Sequence, residues 1–523
     1  MTDWWRGAVI YQVYPRSFRD SDGDGVGDLR GILQGLDHVA GLGVDAVWLA
    51  PVYASPQADF GYDVADHCAV DPRYGTLEDL DAVIAGAHAR GLKVMLDLVT
   101  GHTSTAHAWF RESRARRDGP LAARYVWADA KADGSPPNNW LSVFGGPAWR
   151  WEPRRRQYYL HHFLAEQPAL NLEDPATLDA VAGIMRFWLA RGVDGFRLDA
   201  LDFVAHDPAL RDNPAAPPRP EPPAKLFGLQ LHQHDMMGPG TGAILRRFRQ
   251  EADAAGAALM GELSSQPGAH ARVARATAPG LLHMAYTLAP LRAGFDHGVA
   301  RALVEAAAQP EGWPCWNFSN HDVVRAATRW SPGGVPDPAV TRLLMALLLT
   351  LRGSACLYQG EELGLPEAEL PFEALRDPFG ISFWPDFAGR DGSRTPMPWD
   401  AALPHAGFTT GTPWLPVPEA HRDLAVSMQQ EPGSMLAFTR ELLATRRASL
   451  ALMAGALHPI DLPAPLLGFE RREAADRVRC LFNLSPGPVP VPAGLRGGAA
   501  LSGSPVGAAS EVLPGWGVAL ARV

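Results

Sequence analysis

Three acids in this 523-residue chain stand where a carboxyl can do chemistry: Asp199 in VDGFRLDA, Glu262 in ALMGEL and Asp322 in WPCWNFSNHD. Each closes a short apolar run of strand type, and the runs are far apart in the sequence. A carboxylate that attacks and a carboxyl that gives up a proton, about 5–5.5 Å apart, can split a glycosidic bond with retention of configuration. A single acid after an apolar strand is ordinarily a helix cap or an ion-pair partner. Three such acids, with Arg197 two residues before one and His321 beside another, are hard to dismiss in that way. Alternate strand residues share a face, so Arg197 can approach Asp199 and hold it ionised.

These residues can meet only if a scaffold brings them together. From the start to about residue 360, short apolar runs alternate with segments of helical period. Candidate strands begin at Ala8, Val44, Leu92, Val193, Ala258, Leu281, Trp313 and Ser354. Between them, Val181, Ile184, Met185 and Trp188 show the spacing of a helix with one apolar face. A doubly wound open sheet would alternate in the same manner. The barrel is favoured because Asp97 to His102, Arg197 with Asp199, Glu262, and Asn320 to Asp322 all fall at strand ends, which in a barrel open onto one mouth.

The expected fold is therefore α/β, a (β/α)8 TIM barrel over residues 1–102 and 172–455, with a helical subdomain at about 385–455. The stretch 103–171 is too long for a βα loop and reads as a small domain inserted after strand 3. Residues 456–523, with short β-like runs between Pro and Gly clusters, read as a C-terminal antiparallel β-sandwich. The proline-rich segment from Asp207 to Lys225 is expected to be an extended loop walling the site.

A net charge of -10 argues against nucleic acid, and the basic runs Arg111 to Arg117 and Arg154 to Arg156 have acidic and aromatic neighbours. The four cysteines (Cys68, Cys315, Cys356, Cys480) are widely spaced, suggesting neither a zinc site nor a disulfide framework. The apolar run from Val340 is too short to span a bilayer, and the first residues lack a secretory pattern, so cytoplasmic residence is expected. His232, His234 and Asp235 read as a satisfied loop, and GPGTG at Gly238 as a flexible turn.

The sequence resembles glycoside hydrolase family 13, the α-amylase family, and within it the α-glucosidase and oligo-1,6-glucosidase group. The matching blocks are YQVYPRSF at Tyr11, DLVTGHTS at Asp97, GFRLDA at Gly195, GEL at Gly261, FSNHD at Phe318, YQGEELGL at Tyr358 and RDGSRTPMPWD at Arg390, in family order over almost the whole chain. The resemblance implies that Asp199 is the nucleophile, Glu262 the general acid/base and Asp322 the stabiliser of the transition state. It implies that His102, Arg197 and His321 hold glucose. Asp59 and Tyr62 resemble the pair that grips and stacks on the non-reducing glucose, with Arg394 as the charged partner of Asp59. Phe144 and Phe163 resemble aromatic walls, although simple packing within the inserted domain accounts for them equally well. Gly101 stands where the family usually has Asn, which puts a calcium site at that place in doubt.

A separate loop, DSDGDGVGDLRG, spaces Asp20, Asp22, Asp24, the Val26 carbonyl and Asp28 like alternate ligands of a calcium loop, but Gly31 replaces the closing Glu of an EF-hand. The resemblance implies a structural Ca or Mg there, and no cofactor for the chemistry.

The expected activity is that of a retaining exo-acting α-glucosidase on small α-glucosides or oligosaccharides. Ala200, after the nucleophile position, favours α-1,4 linkages by resemblance, with transglucosylation alongside. Rival readings are an α-glucosyltransferase or α-1,6-glucosidase of the same fold and, from another class, a non-catalytic barrel in a transporter-associated or glycan-binding role. A phosphosugar hydrolase needs a cationic phosphate grip, and no sequence pattern points to one. The partners expected are a small-molecule substrate and at most a second copy of the chain, with no nucleic acid and no membrane.

Overall fold

The computed structural model describes residues 3–218, 220–221 and 223–523. The eight apolar runs become the strands β1 (Val9–Val13), β2 (Ala46–Leu49), β3 (Lys93–Leu98), β4 (Gly195–Leu198), β5 (Ala258–Leu263), β6 (Met284–Thr287), β7 (Cys315–Asn317) and β8 (Ser354–Tyr358). All pair in parallel, in the order β6-β5-β4-β3-β2-β1-β8-β7. A parallel bridge between Ala285 and Pro314 joins the two ends and closes the barrel. Each strand is buried over nearly its whole length because its outer face is covered by helices and its inner face by the other strands.

The covering helices are α1 (Leu29–Leu42), α2 (Leu77–His88), α3 (Pro175–Ala190), α4 (Thr241–Ala254), α5 (Ala269–Ala276), α6 (His297–Ala307), α7 (Pro338–Thr350) and α8 (Met435–Arg447). Their starts are set by local chemistry. Asp28, Thr76, Asp174, Asp337 and Ser434 each turn a side-chain oxygen back onto a free backbone N–H of the first turn, and Thr76 with Asp79 completes a reciprocal cap.

Two layers fill the barrel. Ile10, Ala46, Trp48, Met95, Ala258, Met260, Met284, Cys315 and Cys356 make an apolar plug. Toward the strand C-termini the inward residues turn polar: Asp97 lies beside Arg197 in the β3/β4 register, and Glu262 beside Tyr286 in β5/β6. Far from these residues in sequence, the guanidiniums of Arg446 and Arg471 are buried and, among the described residues, bond only to backbone carbonyls, those of Gly7, Leu349, Gly353, Thr350, Leu351 and Gly455. These bonds tie α8 and the C-terminal sheet to the turn between α7 and β8.

The inserted segment carries three antiparallel strands, Trp127–Ala128, Gln157–Leu160 and Trp149–Glu152, around Trp140, Trp149 and Leu160. Its basic runs are internal staples: Arg155 donates to the carbonyls of Ser113, Arg116 and Ala122, and Arg114 pairs with Glu152. The C-terminal part is a five-stranded antiparallel sheet faced by a two-stranded ribbon, with Leu466, Leu481, Val491 and Leu513 between them.

One expectation is corrected. The stretch 385–434 is not a helical subdomain but an irregular loop with four short helical turns, and regular helix resumes only at α8. Pro396, Pro398, Pro404, Pro413, Pro416 and Pro418 interrupt any longer helix there.

Candidate active site

The C-terminal ends of β3, β4 and β5 converge on the guanidinium of Arg197, which is fully buried. Nη1 donates to Asp97 Oδ1 at 2.8 Å and to Asp199 Oδ1 at 2.7 Å, while Nη2 donates to Glu262 Oε2 at 2.6 Å. Nε and Nη2 also reach the Tyr286 hydroxyl, at 3.0 and 2.8 Å. Glu262 Oε2 takes a second donor, the Ala200 N–H at 3.0 Å, which points that way because Ala200 has a left-handed φ of 43°. One oxygen of Asp199 and one of Glu262 are thereby fixed, and each carboxyl keeps a second oxygen with no partner among the described residues.

One buried cation shared by three carboxyls leaves them short of positive charge. Burial, reinforced by the neighbouring acids, pushes Asp199 and Glu262 up to about 7 and Asp97 up to about 6, even though Arg197 pulls the other way. Protons are therefore retained among these three carboxyls close to neutrality.

Asp322 has the opposite environment. Burial opposes its charge, but the positive charges of Arg390 and Arg394 outweigh it and keep the carboxylate well below its usual range. Arg394 Nη2 donates to Asp322 Oδ1 at 2.9 Å and Arg390 Nη1 at 3.2 Å. His321 is neutral, since burial pushes it down to about 3. Gln12 Nε2 at 2.7 Å faces Nδ1, which leaves Nε2–H to donate to Tyr62 Oη at 2.6 Å, and Tyr62 in turn donates to Asp97 Oδ2 at 3.0 Å. Tyr62 also stacks on His321, with an interplanar angle of 2°. This chain of bonds joins Asp322's neighbour to Arg197's neighbour.

The pocket is walled by the remaining candidates, with one correction. Asp59 Oδ1 pairs with Arg390 at 2.9 Å, not with Arg394. Arg394 is turned toward the end of β7, where its Nε donates to the His321 carbonyl at 2.7 Å and its Nη2 to Asp322. Asp377 fixes Arg390 from behind with both oxygens, and Gln167 donates to Asp59 Oδ2 at 3.2 Å. His102 lies against Phe163, 5.2 Å between ring centres, and burial pushes it down to about 4. Phe144 stacks on Phe379 at 4.6 Å and sits under the Arg390 guanidinium. Phe144 and Phe163 are half-buried and join the inserted domain to the pocket wall.

Sequence reasoning missed Asp377, Gln167 and Tyr286 as site residues and used Asp97 only as a strand-end marker. Asp97 and Arg390 lie inside recognisable blocks, whereas no pattern marks Asp377 or Gln167.

In the first βα loop, carboxylate oxygens of Asp20, Asp22 and Asp28 lie within 4.8 Å of one another, a spacing a divalent cation could bridge. Asp24 is outside that group, its Oδ1 accepting from the Val26 N–H. Asp20 and Asp28 already accept several backbone N–H bonds, which hold the loop's shape. His232 faces Asp235 through Nδ1 at 2.7 Å and the Phe227 carbonyl through Nε2 at 2.9 Å, so its ring is fully occupied within the loop.

Paired carboxyls on one arginine at the C-terminal mouth of a β/α barrel, beside a pocket of aromatics and ion pairs, define a glycoside hydrolase. The chain belongs to the α-amylase family, whose catalytic-domain model, described as "Alpha amylase, catalytic domain", matches residues 12–455. It is 51% identical over 495 residues to a Rhizobium meliloti (strain 1021) protein named "Probable alpha-glucosidase", covering 92% of this chain and 90% of the other. It is 34% identical to the oligo-1,6-glucosidase of Heyndrickxia coagulans, covering 93% of each. Among solved structures, the alpha-glucosyl transfer enzyme XgtA superposes with a TM-score of 0.95 and 51% identity over the whole of both chains.

The shared charge gives a pH prediction. Activity should follow a bell around neutrality, with the acid limb set by a carboxyl that must be ionised and the alkaline limb by one that must keep its proton. Asp97→Asn removes one competitor for Arg197, so both limbs of kcat/KM should move about one unit toward acid. Limbs that stay in place or move toward alkali contradict the shared-arginine account.

Proposed function

We propose that the protein is a retaining, exo-acting α-glucosidase that releases terminal non-reducing α-glucose from short oligosaccharides or α-glucosides, with some transfer of glucose to other acceptors. The observation that carries this reading is the pair Asp199 and Glu262 on one guanidinium, each with an oxygen left over for the substrate. The free Asp199 oxygen bonds to the anomeric carbon while the glycosidic C–O bond breaks and the leaving oxygen takes the Glu262 proton. Glu262, now a carboxylate, draws a proton from water as water attacks the same carbon and frees Asp199. Asp322, held ionised by its arginines, faces the positive charge that develops on the sugar ring. The Asp59–Arg390 pair closes one end of the pocket, which supports removal of one sugar at a time.

The α-1,4 preference rests on Ala200. Within this fold, α-1,6 action is the alternative that the oligo-1,6-glucosidase relatives support, and transfer is supported by the transfer enzyme's similarity. A non-catalytic barrel is disfavoured by the intact trio of acids. Cytoplasmic residence and a monomeric or homodimeric state belong to the same reading. Four cysteines without a disulfide accord with the former, as does the absence, among the described residues, of a helix long and apolar enough to cross a membrane. We also propose a structural Ca or Mg at Asp20, Asp22 and Asp28 with the Val26 carbonyl, and Asp24 through its loop geometry alone.

Asp199→Asn should abolish release of glucose from every α-glucoside, while wild-type rates remove the nucleophile assignment. Glu262→Gln should lose at least about 100-fold more on maltose than on nitrophenyl α-glucoside, whose leaving group needs no proton. Equal losses count against the acid role. Maltose should exceed isomaltose in kcat/KM, and the reverse order corrects the linkage. Chelation should lower Tm and added Ca or Mg restore it, whereas an unchanged Tm removes the metal and leaves the catalytic reading intact.

A further inference from the structure

Arg292 ends the short helix Ala289–Arg292 that follows β6, at the catalytic end of the barrel. Its Nη1 donates at 3.4 Å to the Ser265 hydroxyl, three residues beyond Glu262. The side chain is open to solvent yet surrounded by protein, as expected of a group lining a funnel. Crowding lowers its pKa, and the acids whose charge reaches it are Glu262 and Asp322. Lys225, at the end of the proline-rich loop, places Nζ 3.6 Å from the centre of the Phe379 ring and 3.8 Å from that of Phe387. Those rings attract the ammonium through their faces and remove water from it, but supply no counter-ion. Burial and then the charges of Arg292 and Arg390 drive Lys225 down to about 7, against the pull of Asp377 and Asp322.

Among the described residues neither cation forms an ion pair, because the nearby acids are committed elsewhere. Asp322 is held by Arg390 and Arg394, Asp59 and Asp377 by Arg390, and Glu262 by Arg197. The pocket floor thus crowds carboxyls onto few arginines, while Arg292 and Lys225 have none. A neutral sugar calls for neither cation.

We propose that the leaving-group side of this pocket is built for an anion, a carboxylate or phosphate carried by the aglycone and bound by Arg292 together with Lys225. This rests on the α-glucosidase reading, since it names the ligand of the side that receives the Glu262 proton. Asp199 bonds to the anomeric carbon, the C–O bonding pair passes to the leaving oxygen, and that oxygen takes the proton from Glu262. The distant anion keeps its charge throughout and departs with the aglycone. The Arg292 fork can hold either anion through two donors, and Lys225 regains its proton beside it.

The test compares kcat/KM within two matched pairs: phenyl against 4-carboxyphenyl α-glucoside, and maltose against maltose phosphorylated on the reducing glucose. The charged member should be favoured about tenfold at low salt in one pair or both, with the preference shrinking as salt rises. Which pair responds separates carboxylate from phosphate. Arg292→Gln and Lys225→Gln should each reduce the charged-to-neutral ratio, and Arg292→Lys should restore part of it. Because a ratio is read, a general loss of folded enzyme cancels. A ratio at or below one in both pairs overturns the proposal, as does a preference that both Gln variants leave unchanged. No release of glucose from the neutral members would instead overturn the α-glucosidase reading itself.

Discussion

The site depends on one fully buried guanidinium that three carboxyls must share. Removing an ion from water costs several kcal/mol, and the cost is met only when its hydrogen bonds are satisfied. Arg197 meets that condition by bonding to Asp97, Asp199, Glu262 and Tyr286 at once. The same arrangement sets the chemistry. A single positive charge cannot hold three neighbours ionised in a dry site, so a proton stays among them near neutrality, ready for a leaving group. An arginine with one carboxylate partner would give a stable ion pair and no acid.

The barrel supplies what that arrangement needs. Parallel register puts Asp97 beside Arg197 and Tyr286 beside Glu262, and the apolar plug of Trp48, Met95, Met260 and Met284 seals the site from below. At the opposite side Arg390 likewise meets three carboxyls, Asp59, Asp322 and Asp377, but Arg394 adds a second positive charge that keeps Asp322 ionised. Two arginine centres with different loads thus give neighbouring carboxyls opposite protonation states.

The scaffold was legible because buried parallel strands read as apolar runs and covering helices show a 3.6-residue period. Asp199, Glu262 and Asp322 were legible because a polar residue closing such a run is conspicuous. Legibility failed where backbone is irregular. Arg390 and Arg394 flank a short turn, Asp391–Ser393, and no periodicity says which of them faces Asp59. The stretch from about 385 to 455 was read as helical, and prolines cut its first part, up to residue 434, into turns, while helix is present from Met435 on. Asp24, one of four similarly spaced aspartates, turns onto its own loop's backbone. Lys225 and Arg292 escaped notice because a cation lacking a partner is a fact about its surroundings, not about its sequence neighbours.

The covalent step is the most direct test of this account. A fluorinated α-glucosyl fluoride that forms the enzyme-bound sugar faster than it is released should leave a glucosyl label on a peptide from the protein, readable by mass spectrometry. The account predicts a single adduct on Asp199 and product of unchanged anomeric configuration. An adduct on Asp97 or Glu262, or turnover to the β-anomer with no adduct, would contradict it.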